Sequence, residues 1–214
     1  DVQKGLLGDM KLTNGKIVID TVYGEAVGHA SIDADLAGPL KTIFQYIAAE
    51  PIGVTDIPTD HDRVEGDAKL NLNISFPTLA DLPAEKIIVT AEGTADNVFM
   101  PDLVNGLDLR GGPVAVKIKD GRVDVTGKGA LEGRDTSFTY VQFFESKGKP
   151  YSGQVIADIV VDPALRESFG MDLSDWLDGA VPAKITYTEF GGDSNKAEVQ
   201  AVIDATPGTL MVKP

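Results

Sequence analysis

The 214-residue chain contains no cysteine. That excludes disulfide staples, thiolate metal ligands and cysteine nucleophiles, but it selects no compartment, because many exported proteins carry no disulfide. Histidine is nearly missing too: His29 and His61 are the only two, and little else titrates near neutral pH. Cationic residues are in the minority. Lys and Arg number 19 against 33 Asp and Glu, a formal net charge of −14, which repels phosphate backbones and anionic bilayer surfaces and argues against nucleic acid as a partner. No apolar run approaches the ~20 residues a spanning helix requires, so no membrane span is expected within these residues. The chain opens Asp1-Val2-Gln3-Lys4, with neither an initiator Met nor a charged-then-apolar leader, and reads as a processed product or a fragment of a longer protein.

The compact motifs of catalysis and metal binding are missing as well. Asp60-His61-Asp62 is the one tight carboxylate–imidazole run, but adjacent residues of an extended chain point to opposite sides, and the expectation is a solvated loop. Asp172-x-x-Asp175-x-x-Asp178-Gly179 lacks the one-three-five oxygen spacing and the bidentate Glu of a calcium loop, and reads as a capped acidic turn. There is no Gly-x-Ser-x-Gly elbow, no Gly-x-Gly-x-x-Gly and no Gly-Lys-Ser/Thr. The expectation is a protein that is not an enzyme, with no catalytic residue, no metal and no cofactor.

What is present is alternation. With 23 Gly and 12 Pro, the composition favours short turns between strands. Over 63–76, Val64, Ala68, Leu70, Leu72, Ile74 and Phe76 fall on even positions, while Arg63, Glu65, Asp67, Lys69, Asn71, Asn73 and Ser75 fall on odd ones. A period of two over such a length predicts a strand of about 45 Å, dry on one side and wet on the other. Residues 26–36 repeat the pattern with smaller side chains. In Pro113–Gly127, Asp120-Gly121 supplies the two positive-φ residues of a type I′ turn, and pairing Lys119 with Arg122 sets Ile118 opposite Val123 and Val116 opposite Val125. Further strands are predicted at 16–22, 86–99, 136–144, 154–161, 183–190 and 197–205. Loops are predicted at 51–62 and 145–153.

The period changes twice. Leu40, Ile43, Phe44 and Ile47 fall at i, i+3, i+4, i+7 between Pro39 and Pro51, predicting one amphipathic helix. Asp162-Pro163 offers an N-cap followed by Pro at the first helical position, with Leu165 and Phe169 as an i, i+4 pair. Two short helices cannot cover the apolar face of about ten strands. That face must meet another sheet, close on itself, or stay open for a ligand. A structural or protein-binding β-sandwich or barrel with a closed apolar core is one reading. The other is an open, strongly curved antiparallel sheet whose trough takes lipid acyl chains. For the second, the lining residues are Ile32, Leu70, Leu72, Ile74, Val114, Val116, Ile118, Val123 and Val125, with Leu40, Phe44 and Ile47 plugging one end.

The order of features adds a resemblance. Leu36-Ala37-Gly38-Pro39-Leu40 opens the helix that ends at Glu50-Pro51, and Val64-Glu65-Gly66-Asp67-Ala68-Lys69-Leu70-Asn71-Leu72 leads to Phe76-Pro77. Val123-Asp124-Val125-Thr126-Gly127-Lys128-Gly129-Ala130-Leu131-Glu132-Gly133 follows, then Phe169-Gly170-Met171 and Leu177-Asp178-Gly179-Ala180-Val181-Pro182. Over nearly its whole length the chain resembles the AsmA-like superfamily of Gram-negative envelope proteins, most closely the YhdP-type members. The resemblance implies one β-groove segment, 1–214, of a bridge-like lipid-transfer protein. It would be a periplasmic part of an inner-membrane-anchored protein, with phospholipid acyl chains and adjacent segments of the same full-length chain as partners. Such a segment would support phospholipid transport between the inner and outer membranes and outer-membrane biogenesis.

Overall fold

The computed structural model describes residues 5–21, 27–48, 60–83, 86–104, 106–171, 173–191 and 196–210. Residues 51–59 of the expected loop, Asp172 of the acidic turn and the Ile47 side chain lie outside that set. Eleven strands form one antiparallel sheet. In order across it they are β1 (Gly5–Leu7), β2 (Met10–Asp20), β3 (His29–Pro39), β4 (Glu65–Pro77), β5 (Ile88–Val104), β6 (Leu107–Lys119), β7 (Arg122–Leu131), β8 (Arg134–Phe143), β9 (Gly153–Val161), β11 (Val181–Phe190) and β12 (Lys196–Ile203). Helix α1 (Leu40–Ala48) follows β3. Helix α2 (Pro163–Ser168) and strand β10 (Leu177–Asp178) interrupt the meander between β9 and β11. β10 pairs separately with β13 (Thr209–Leu210). The sheet ends at β1 and β12 and does not close into a barrel.

The strands form where turn chemistry and alternation agree. Asp120 and Gly121 have φ of 53° and 71°, and the register behind them pairs Lys119 with Arg122, Ile118 with Val123 and Val116 with Val125, as the two-residue turn demands. Several strands run further than their alternation. β6 begins at Leu107 because Gly111 and Gly112, at φ 132° and 135°, carry the chain through a bulge between Gly111 and Val114. Pro113, which has no N–H to give the ladder, sits inside that bulge. β5 runs past residue 99 through Asn97 (φ 54°) and Asp102 (φ 52°), where the count of two slips and sequence period ceases to report the strand.

Two buried clusters lie at one end of the sheet. Leu40 and Ile43 of α1 pack on a cluster of Ala68, Ala95 and Val98, while Leu165 of α2 joins Ile159, Val161 and Ala183. A cross-strand row connects the two clusters, running Val98, Gly111, Gly129, Thr136, Ile159, Ala183. Both helices therefore cover the same end. The Asp162 carboxylate caps α2, accepting from the Leu165 N–H at 2.8 Å and from Arg134 Nε and Nη2 at 2.8 and 2.9 Å. Its carboxyl is held below the usual range, first by the Leu165 N–H and then, against burial, by Arg134. Arg166, 2% exposed, donates from Nη1 to Gly179 O at 2.9 Å and from Nη2 to Leu177 O at 3.0 Å, tying α2 to the segment that carries β10.

One expectation is corrected here. Asp60 and Asp62 are exposed as expected, but His61 between them is not solvated: it belongs to a 3-10 turn, His61–Arg63, behind an Asp60 cap. Its ring stacks on Phe44 with centroids 5.7 Å apart, and Nε2 is buried without a hydrogen-bond partner. Phe44, expected to plug the sheet, faces this ring. Short loops fold back on helices when an aromatic surface is available, and a triplet of polar letters does not disclose that.

Candidate functional site: an open apolar sheet face

Directly opposed residues of an antiparallel ladder share a face, so the register decides which side chains line the trough. One row runs Leu12, Leu36, Leu70, Gly93, Val116 and continues Val125, Tyr140, Val155, Tyr187, Val199. It crosses ten strands. At ~4.8 Å between strands the row spans about 43 Å. The neighbouring row away from the helices contains Ala34, Leu72, Ala91, Ile118 and Val123, and the next Ile17, Ile32, Ile74 and Val89. All nine residues expected from sequence lie on this one face, and all nine are half-buried. Val114 differs from the rest, packing against the cluster beneath α1, and serves the core.

Beyond the helix end the lining residues keep part of their surface exposed. Among the described residues every extensive strand–strand contact joins ladder neighbours, and α1 packs on β3 and β4. At the sheet edges, Ile17 and Val199 of this face are 60% and 66% exposed. Alternation of small with large residues shapes the surface: Leu72 lies between Ala34 and Ala91, and Gly93 separates Leu70 from Val116. At Gly127 an added methyl would come within 2.6 Å of Phe138 Cζ, so the Phe138 ring lies over the glycine backbone.

Over β2–β6 the opposite face is polar and cross-linked. Asn71 Nδ2 donates to Asp35 Oδ1 at 2.8 Å and Asn14 Nδ2 to Asp35 Oδ2 at 3.2 Å, bonds that hold the Asp35 carboxyl below its usual range. Glu92 and Lys117 pair across β5 and β6. Their hydrogen bond, reinforced by charge attraction, lowers the Glu92 pKa and raises that of Lys117. A broad depression of about 860 Å³ lies over this face, bordered by Asp35, Asn71, Glu92, Lys117 and Asp124. Of the nine expected residues only Leu70 and Val116 border it. An acyl chain settled there would strip water from the charged groups on its border. The nine expected residues share one face, and the depression lies over the opposite one.

Sequence reading missed the far half of the face. Tyr140, Val155, Ile185 and Tyr187 belong to it as fully as Leu72 does, and the alternation within 138–142 and 183–187 carried that signal. No group of three His, Cys, Asp or Glu side chains that could hold a metal ion exists among the described residues. No helix among them is long and apolar enough to cross a membrane. No protein-family model matches the chain, and neither a curated protein nor a solved structure matches it.

Proposed function

We propose that the chain is a groove-forming module that binds lipid acyl chains and supports phospholipid transport between inner and outer membranes. One observation carries the reading: a single face on which apolar and small residues oppose one another across ten strands, with its lining residues half-buried and Ile17 and Val199 exposed at its edges. Full burial of a methylene is worth about 0.8 kcal/mol. A tail of about twelve methylenes lying on an open face is half desolvated, so its retention is worth roughly 5 kcal/mol, enough for exchangeable binding. Movement along the face requires no bond to be made or broken, so the role is not enzymatic. The resemblance to YhdP-type proteins supplies the rest of the proposal: a periplasmic segment of an inner-membrane-anchored protein, whose adjacent segments continue the wall.

The test is solvent extraction of the purified chain followed by lipid mass spectrometry, for the native protein, Leu72→Asp and Thr94→Asp. Thr94 is exposed on the polar face opposite Lys69, so a carboxylate there is accommodated. Lipid retained by the native chain and Thr94→Asp, and lost tenfold from Leu72→Asp, supports the proposal. A chain that carries no lipid, or one in which the two variants behave alike, overturns it in favour of a structural domain whose apolar face docks another protein.

A further inference from the structure

At the rim remote from α1 and α2 the apolar face carries a polar island. Gln142 of β8, Gly153 of β9 and Glu189 of β11 stand side by side in the ladder. The next row toward the helices places Tyr140 and Tyr187 on either side of Val155. The Tyr140 hydroxyl donates to Gln142 Oε1 at 3.0 Å, and the Tyr187 hydroxyl to Glu189 Oε1 at 2.9 Å. Gly153 has no side chain to hold the two strands' polar groups apart: a methyl on it would collide with Gln142 Oε1 and stand 3.4 Å from Glu189 Oε2. An amide oxygen and a carboxylate oxygen thus reach over the same point of backbone.

Among the described residues no Lys, Arg or His forms an ion pair with Glu189. Both phenol hydroxyls already donate inward. The Tyr140 phenol, pushed up to about 12 by burial and then by the Glu189 charge, remains neutral. Gln142 Nε2 gives one N–H to Phe143 O at 3.4 Å, and what the island has left to offer is acceptor oxygen, one amide N–H and one negative charge. An anionic head group is repelled there, and a trimethylammonium group has no N–H to give. A primary ammonium brings three donors and the complementary charge, with aromatic rings beside it.

We infer that the Gln142–Gly153–Glu189 island seats the primary ammonium head group of an amphiphile whose tail runs toward β4 over Val123, Ile118 and Leu72. This rests on the acyl-chain reading and adds the head-group class. The geometry suits an amphiphile, since the charged end lies at the rim in reach of water and the apolar row begins one strand away.

The test uses four single-chain amphiphiles of equal tail length, each below its micelle concentration, displacing a neutral fluorescent probe from the full chain at low salt. They are monoacylglycerol and the lysophospholipids of ethanolamine, choline and glycerol; tetradecylammonium added as a fifth arm separates a phospholipid head from a bare amine. The expected result is about tenfold tighter binding of the ethanolamine lipid than of the choline and glycerol lipids. Glu189→Gln abolishes that preference. Monoacylglycerol bound with no preference among head groups, or a preference that survives Glu189→Gln, refutes the island while the trough stands. Tetradecylammonium bound tightly with the ethanolamine lipid rejected refutes a phospholipid occupant. Failure of every amphiphile, monoacylglycerol included, sinks the acyl-chain reading itself.

Discussion

Arg166→Met is the substitution whose cost follows most directly from the structure. The guanidinium is 2% exposed and meets the carbonyls of Leu177 and Gly179 at 3.0 and 2.9 Å, with Val161 O more distant at 3.4 Å. Methionine fills much the same volume and donates nothing. A hydrogen bond to a charged donor is worth roughly 1.5–3 kcal/mol net, so two good bonds lost cost about 3–6 kcal/mol. Relief from burying the guanidinium offsets part of that, leaving an expected loss of about 3 kcal/mol. For a chain of this size that is roughly 6–12 °C in Tm. The assay is urea unfolding followed by far-UV circular dichroism and by fluorescence of Trp176, the only tryptophan. Trp176 immediately precedes Leu177, so its signal reports the tethered segment, and its transition is expected to move at least as far as that of the sheet. Arg166→Lys reaches fewer carbonyls and recovers about a third of the loss. Curves for Arg166→Met within about 0.5 kcal/mol of the native protein would refute the reasoning.

Three further outcomes are expected. The Asp162 carboxyl titrates below its unfolded value, so its stabilising effect is complete above about pH 4 and is lost as pH falls through the folded pKa; Asp162→Asn keeps the cap but flattens that acid limb in a pH series of urea midpoints. The Tyr140 phenol, pushed up to about 12, favours the fold below the unfolded value of about 10 and loses that contribution as pH rises through its own pKa; absorbance titration at 295 nm shows a late phenol that Tyr140→Phe removes. Gly127→Val drives its side chain into Phe138 and Val114 and costs about 1–3 kcal/mol by overpacking, and Phe138→Leu in the same chain restores part of it, a coupling read by double-mutant cycle.

The chain's own order of residues determined the local elements and the two sides of each strand. Alternation over 63–76 separated Leu70, Leu72 and Ile74 from Lys69, Asn71 and Asn73, because a pleated strand turns successive side chains to opposite faces. Asp120-Gly121 settled a hairpin and its register, since two positive-φ residues leave one turn open. Asp162-Pro163 marked a helix start for the equally local reason that an orphan N–H needs an acceptor. Each of these is decided within a few residues.

Tertiary structure decided what depends on distant partners. That Gly111, Gly112 and Pro113 lie inside β6 depends on a neighbouring strand to complete the bulge, and that His61 stacks on Phe44 depends on α1 standing nearby. Gln142 and Glu189 are 47 positions apart in the sequence, and they converge only because β8, β9 and β11 align in one register. Whether an apolar face is sealed or left bare cannot be written into a strand's alternation, since that pattern records which side avoids water and not what comes to cover it.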